Sequence, residues 1–189
     1  DYRETAPSAA TTNMFLDGKG EPNPAKSRDS ALSIGVPGTV AGLALAHRKY
    51  GSGKLTLADL LAPAIDLARK GFPVEDDLAD SLPHARERLA RWRSSAEIFL
   101  NGGRPLREGD RLIQSDLADT LRAIAREGPR AFYQGRIAAQ IADAVQKAGG
   151  LMSKDDLANY RAVERSAVRG RYRGYDIVSM PPPSSGGVH

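Results

Sequence analysis

The 189-residue sequence contains no cysteine. It can therefore form no disulfide framework, offers no thiolate nucleophile and supplies no sulfur ligand to zinc or an iron–sulfur cluster. Histidine is scarce as well: His47, His84 and His189 stand far apart, in no HxxxH or HExxH arrangement, so no metal or other cofactor is expected. Long apolar runs are also missing. No window approaches the roughly 18 consecutive apolar residues of a membrane-spanning helix, and Asp1 opens onto neither a basic n-region nor an apolar h-region. The sequence reads either as cytoplasmic or as preceded by a targeting segment upstream.

A strong excess of one charge is absent too. The 27 basic residues are interleaved with 23 acidic ones for a net charge of +4, which permits nucleic-acid binding without arguing for it. The densest basic stretch, Arg86, Arg88, Arg91 and Arg93, spreads around a helix at about 100° per residue instead of forming one stripe. It reads as a solvated face, and no nucleic-acid partner is expected.

What is present is enough apolar material, 41% of residues, for a folded core or for a helical region with a smaller appendage. Residues 1–30 read as an irregular leading segment and a polar loop, with regular structure beginning after the turn-rich stretch from Asp17 to Ser30. Residues 31–160 read as a helical domain. Pro37 suits the start of a helix ending at Tyr50-Gly51, and Thr56 with Asp59 forms a capping box for the next. Pro63 predicts a kink there or two short helices, and Pro83 a break in a third helix over Glu75 to Ala90. A loop over Asn101 to Arg111 follows. Ser115 is the expected N-cap of a helix carrying Leu117, Leu121 and Ile124, and Ile137, Ile141, Ala144 and Val145 mark another. Ser153 with Asp156 caps a short last helix.

After Tyr160 the period changes. Val163 to Tyr172 and Tyr175 to Met180 read as two strands joined at Arg173-Gly174, a hairpin that needs a neighbouring sheet. The tail of this third segment, residues 161–189, is PPPSSGG from Pro181 to Gly187. Three prolines fix φ and remove three donors, which predicts an extended polyproline-type rod, and the small residues after it let backbone approach something closely.

Four blocks resemble, in order, the large subunit of the γ-glutamyltranspeptidase family. They are Arg3-Glu4-Thr5-Ala6-Pro7 with Met14-Phe15; GVPGTVAG from Gly35 to Gly42; Gly149-Gly150-Leu151 with Asp155-Asp156-Leu157 and Tyr160; and Tyr172-Arg173-Gly174-Tyr175 leading into PPPSSGG. The resemblance implies the helical part of an αββα N-terminal-nucleophile hydrolase with a C-terminal β-hairpin, made as one precursor that cleaves itself into a large and a small subunit. The small subunit is then the heterodimer partner. Its new N-terminal threonine, expected downstream of His189, attacks the γ-amide of glutathione or a similar donor, with its own α-amino group as base. Water or an amino acid or peptide acceptor resolves the γ-glutamyl-enzyme, and the family's bacterial members imply a periplasmic or secreted location.

No catalytic residue is assigned within the chain. Thr5, Thr11, Thr12, Thr39, Thr56 and Thr120 are internal and read as caps, turns or packing. By resemblance, Arg3 binds the α-carboxylate of the γ-glutamyl substrate, which suits a guanidinium that grips carboxylates bidentately and keeps its charge. Ser184, Ser185, Gly186 and Gly187 either line an anion or oxyanion site or thread the backbone past the active-site wall. The alternatives are a related acylase of the glutaryl, cephalosporin or polyglutamate type, or a non-catalytic helical scaffold.

Overall fold

The computed structural model describes residues 1–187, so Val188 and His189 at the end of the tail lie outside the described residues. In chain order the helices and strands are α1 (Pro24–Arg28), α2 (Thr39–Tyr50), α3 (Leu57–Lys70), β1 (Phe72–Pro73), α4 (Asp76–Ala90), α5 (Arg93–Phe99), β2 (Leu100–Asn101), β3 (Arg104–Pro105) and β4 (Arg111–Leu112). They continue with α6 (Ser115–Glu127), α7 (Arg130–Tyr133), α8 (Arg136–Lys147), α9 (Lys154–Asn159), β5 (Val168–Tyr172) and β6 (Tyr175–Ser179). The chain is mainly helical with small antiparallel hairpins, and it divides into two compact units.

Ala46–Ala144 forms one unit. Thr56 and Asp59 cap α3 reciprocally: the Asp59 N–H donates to the Thr56 hydroxyl at 3.1 Å, and the Thr56 N–H donates to the Asp59 carboxylate at 2.8 Å. Helix α3 packs along α6, and Arg69 and Arg122 both pair with Asp119. A second cluster gathers Val74, Leu82, Leu106 and Leu112 under α4, with Phe72 and Phe99 against it. The register of β1 on β4 places Phe72 opposite Leu112, which brings two of these side chains together.

Several expectations are corrected in this unit. Pro63 lies inside α3, which is one helix and not two, and Pro83 lies inside α4 without breaking it. Both prolines are exposed, so their rings point away from the packed face of each helix. Ser115 is the first helical residue and Gln114 the N-cap. The expected loop after Asn101 contains strands, because Leu100 and Leu106 are buried and draw the chain back on itself as β2–β3. Helix α5 carried no expectation.

Asp1–Leu45 and Val145–His189 form the other unit. The polar stretch read as a loop holds the one-turn helix α1, because Asn23 accepts the N–H groups of Ala25 and Lys26 at 3.1 and 3.3 Å and Pro24 takes the first position. Helix α2 starts at Thr39, two residues after Pro37. In β5 and β6 the register pairs Tyr172 with Tyr175 around Arg173-Gly174, as the hairpin reading expects, but the first strand starts at Val168 instead of Val163. Val163 instead exchanges both main-chain hydrogen bonds with Asp1 at 2.9 Å, which takes this stretch away from the hairpin.

The tail also departs from expectation. Pro181 to Ser184 is a turn, closed by a 3.2 Å hydrogen bond from the Ser184 N–H to the Pro181 carbonyl, and not an extended rod. Three prolines offer no N–H, so the first donor after them finds the carbonyl within reach. The Pro182–Pro183 peptide is cis.

Candidate functional site

The site is built on the segment Asp1 to Ser8, which belongs to no helix or named strand and is held by residues from elsewhere in its unit. Thr5 and Val36 exchange main-chain hydrogen bonds of 3.3 and 2.8 Å. The Tyr160 hydroxyl donates to the Arg3 carbonyl at 2.7 Å. The Ser8 N–H donates to Asp156 at 2.8 Å, and Asp1 accepts from the Arg3 N–H at 3.0 Å and from Arg165 Nε at 2.6 Å.

Glycines decide how closely this segment lies on its support. A Cβ on Gly35 would stand 2.9 Å from Glu4 Cγ, one on Gly38 2.1 Å from the Tyr2 carbonyl oxygen, and one on Gly42 2.3 Å from Tyr2 Cβ. GVPGTVAG is therefore a smooth floor on which Tyr2 and Glu4 rest, since glycine alone leaves that room.

Asp156 joins this support to α9. Its carboxylate accepts the Ser153 N–H and hydroxyl at 2.8 and 2.7 Å as the helix cap, and the Ser8 N–H with its other oxygen. Desolvation pushes this carboxyl up, but the hydrogen bonds from Ser153 and Ser8 together outweigh it and hold the group at about 2. Because the folded-state value is depressed, this stabilisation is present above about pH 4 and is lost as the pH falls through about 2. Asp156→Asn is expected to cost about 1–2 kcal/mol at neutral pH, with allowance for partial exposure. It also flattens the acid limb of stability, which denaturant unfolding at pH 6 and pH 3 measures; equal losses at both pH values would contradict the assignment.

Arg3, Glu4, Gly38, Arg165 and the turn from Met180 to Ser184 line one open cleft of about 770 Å³. Arg3, from the first block, and Ser184, from the last, thus meet at one surface. The Arg3 guanidinium lies 4.0 Å from Glu4, with side chains 59% and 63% exposed. So weak and wet a pair gives way at little cost to a carboxylate that presents two acceptors. The Ser184 hydroxyl accepts the Gly186 N–H at 3.2 Å, and the Gly186 carbonyl accepts the Ser179 hydroxyl at 3.1 Å. Ser185–Gly187 form a 3-10 turn. At Arg3 the cleft presents an exposed guanidinium, a group whose chemistry suits a carboxylate.

The profile of the family described as Gamma-glutamyltranspeptidase matches residues 1–189. The chain belongs to the γ-glutamyltranspeptidase family. The chain is 52% identical over 190 residues to the glutathione hydrolase proenzyme of Escherichia coli (strain K12), covering 100% of this chain and 32% of that protein. It is 42% identical over 195 residues to the acylase ACY 1 proenzyme of Pseudomonas sp. (strain V22), covering 100% of this chain and 35% of that one. The chain spans about a third of the length of the curated relatives it matches. Among solved structures, the γ-glutamyltranspeptidase of Helicobacter pylori superposes with a TM-score of 0.94 at 46% identity, over 99% of this chain and 53% of that one. A cephalosporin acylase from Bacillus halodurans superposes with a TM-score of 0.81 at 31% identity, over 96% of this chain and 34% of that one.

Motifs in the sequence point to Arg3 and the tail but not to Glu4, Arg165 and Asp1, which share the cleft with them. Ordinary charges near irregular segments carry no local signal of convergence. The glycine spacing of GVPGTVAG was a signal of close approach, although what approaches, the backbone around Arg3, is visible only in the fold.

Proposed function

We propose that this chain is the large-subunit region of an enzyme that transfers or hydrolyses the γ-glutamyl group of glutathione and related γ-glutamyl amides. The observation that carries the reading is the placing of Arg3 on the open cleft in a chain 52% identical along its whole length to a glutathione hydrolase proenzyme. Arg3 grips the substrate α-carboxylate through two parallel N–H donors. The nucleophile is a threonine outside this chain, at the N-terminus of a small subunit released from the same precursor. Its hydroxyl oxygen bonds to the γ-carbonyl carbon, its proton passes through the α-amino group to the leaving amine, and the γ-glutamyl ester is then opened by water or an amine acceptor.

The full-length protein is expected to split into two chains on a denaturing gel and to release the anilide from a γ-glutamyl anilide. A precursor that neither splits nor releases product would sink the reading and favour a non-catalytic scaffold.

A second reading, a related acylase, is favoured by the likeness to the acylase ACY 1 proenzyme and to the cephalosporin acylase structure. A dicarboxylic acyl group could also use Arg3. Comparing γ-glutamyl with glutaryl anilides separates the two, since both present the carboxylate that Arg3 would grip and only the first carries an α-amino group beside it.

A further inference from the structure

Arg3 is a long, half-exposed side chain on a segment without regular structure, so its aim depends on how its own peptide is held. The Arg3 N–H bonds to Asp1, two residues away on the same segment. Asp1 is in turn tied to Val163 and Arg165, so this contact holds the N-terminal side of the Arg3 peptide. The Arg3 carbonyl accepts the Tyr160 hydroxyl, from a residue distant in sequence and only 6% exposed. Tyr160 is itself held, because it is the C-cap of α9, its N–H donates to the Leu157 carbonyl at 3.1 Å, and Leu157 is fully buried.

The path of the phenol is cleared by one missing side chain. A Cβ on Gly38 would stand 2.0 Å from Tyr160 Oη and 2.5 Å from Cζ. A tyrosine with its hydroxyl and a glycine without a side chain therefore converge on a single hydrogen bond, at the residue that faces the cleft.

We propose that Tyr160 is a positioning residue for donor binding. Its hydroxyl pins the Arg3 peptide, and through it the root of the guanidinium that receives the substrate carboxylate. The inference rests on the reading of Arg3 as the carboxylate-binding residue. Tyr160 acts through Arg3 and touches no reacting atom, so its loss weakens donor binding without slowing the chemical step.

The test is Tyr160→Phe in the full-length, self-processed protein, with a γ-glutamyl anilide as donor. The KM is expected to rise about three- to tenfold, the effect of losing one neutral hydrogen bond, with kcat unchanged. Combined with Arg3→Lys, the same change adds less than about twofold, because the grip it supports is already lost. Ile124→Val, in the core of the other unit, lowers stability and leaves KM unchanged, which separates positioning from general destabilisation. A raised KM in Arg3→Lys together with an unchanged KM in Tyr160→Phe overturns this proposal alone, as does an equal rise from Tyr160→Phe in both backgrounds. An unchanged KM in Arg3→Lys removes the carboxylate-binding reading and this proposal with it.

Discussion

Replacing Arg3 by lysine in the complete protein is expected to raise the KM for γ-glutamyl donors about ten- to a hundredfold, equivalent to about 1.5–3 kcal/mol of lost charge-assisted hydrogen bonding. Lysine keeps the charge but offers a point ammonium in place of the planar fork that matches a carboxylate. Glu4, at 4.0 Å from Arg3, is a carboxylate already beside that charge. Steady-state kinetics with γ-glutamyl anilide at fixed ionic strength measure the effect, and donor kinetics equal to wild type would remove Arg3 from the binding site.

The second large effect is on stability. Gly38→Ala places a methyl group 2.0 Å from the Tyr160 hydroxyl oxygen and 2.1 Å from the Tyr2 carbonyl oxygen. One of these obstacles is backbone and the other is a rigid ring, so neither can swing aside as the end of a flexible side chain would. The expected cost is about 1–3 kcal/mol or more, as for overpacking in a close-packed interior. Gly18→Ala is the matched control, because a Cβ there meets nothing within 4 Å and its φ is not positive. Thermal unfolding should lower the midpoint for Gly38→Ala and leave Gly18→Ala near wild type. Equal midpoints for the two variants would contradict the packing described for GVPGTVAG.

Much of the helical plan was legible because it is written in local chemistry. The capping pairs Thr56 with Asp59 and Ser153 with Asp156 start α3 and α9 where the sequence places them, since a cap is a contact across three residues. The Arg173-Gly174 hairpin was legible for the same reason: Arg173 and Gly174 both take positive φ, at 49° and 88°, and the turn closes between adjacent strands. Pro63 and Pro83 do not split their helices, because proline's local cost is offset by packing along the rest of each helix, which no window around the proline reveals. Helix α1 was missed because Asn-Pro reads as a turn signal and serves equally as an N-cap followed by the first helical residue.

The sequence by itself determined the family, the largely helical class and the Thr56 and Ser153 caps, because motifs and periodicities are properties of neighbours along the chain. Only the tertiary structure decided that the proline turn and Arg3 border one cleft, that GVPGTVAG is the floor beneath Tyr2 and Glu4, and that Tyr160 reaches the Arg3 carbonyl past Gly38. Those relations are hydrogen bonds and close approaches between residues far apart in the chain. Either partner alone is an ordinary glycine, tyrosine or proline, and its role exists only once the fold has set the other beside it.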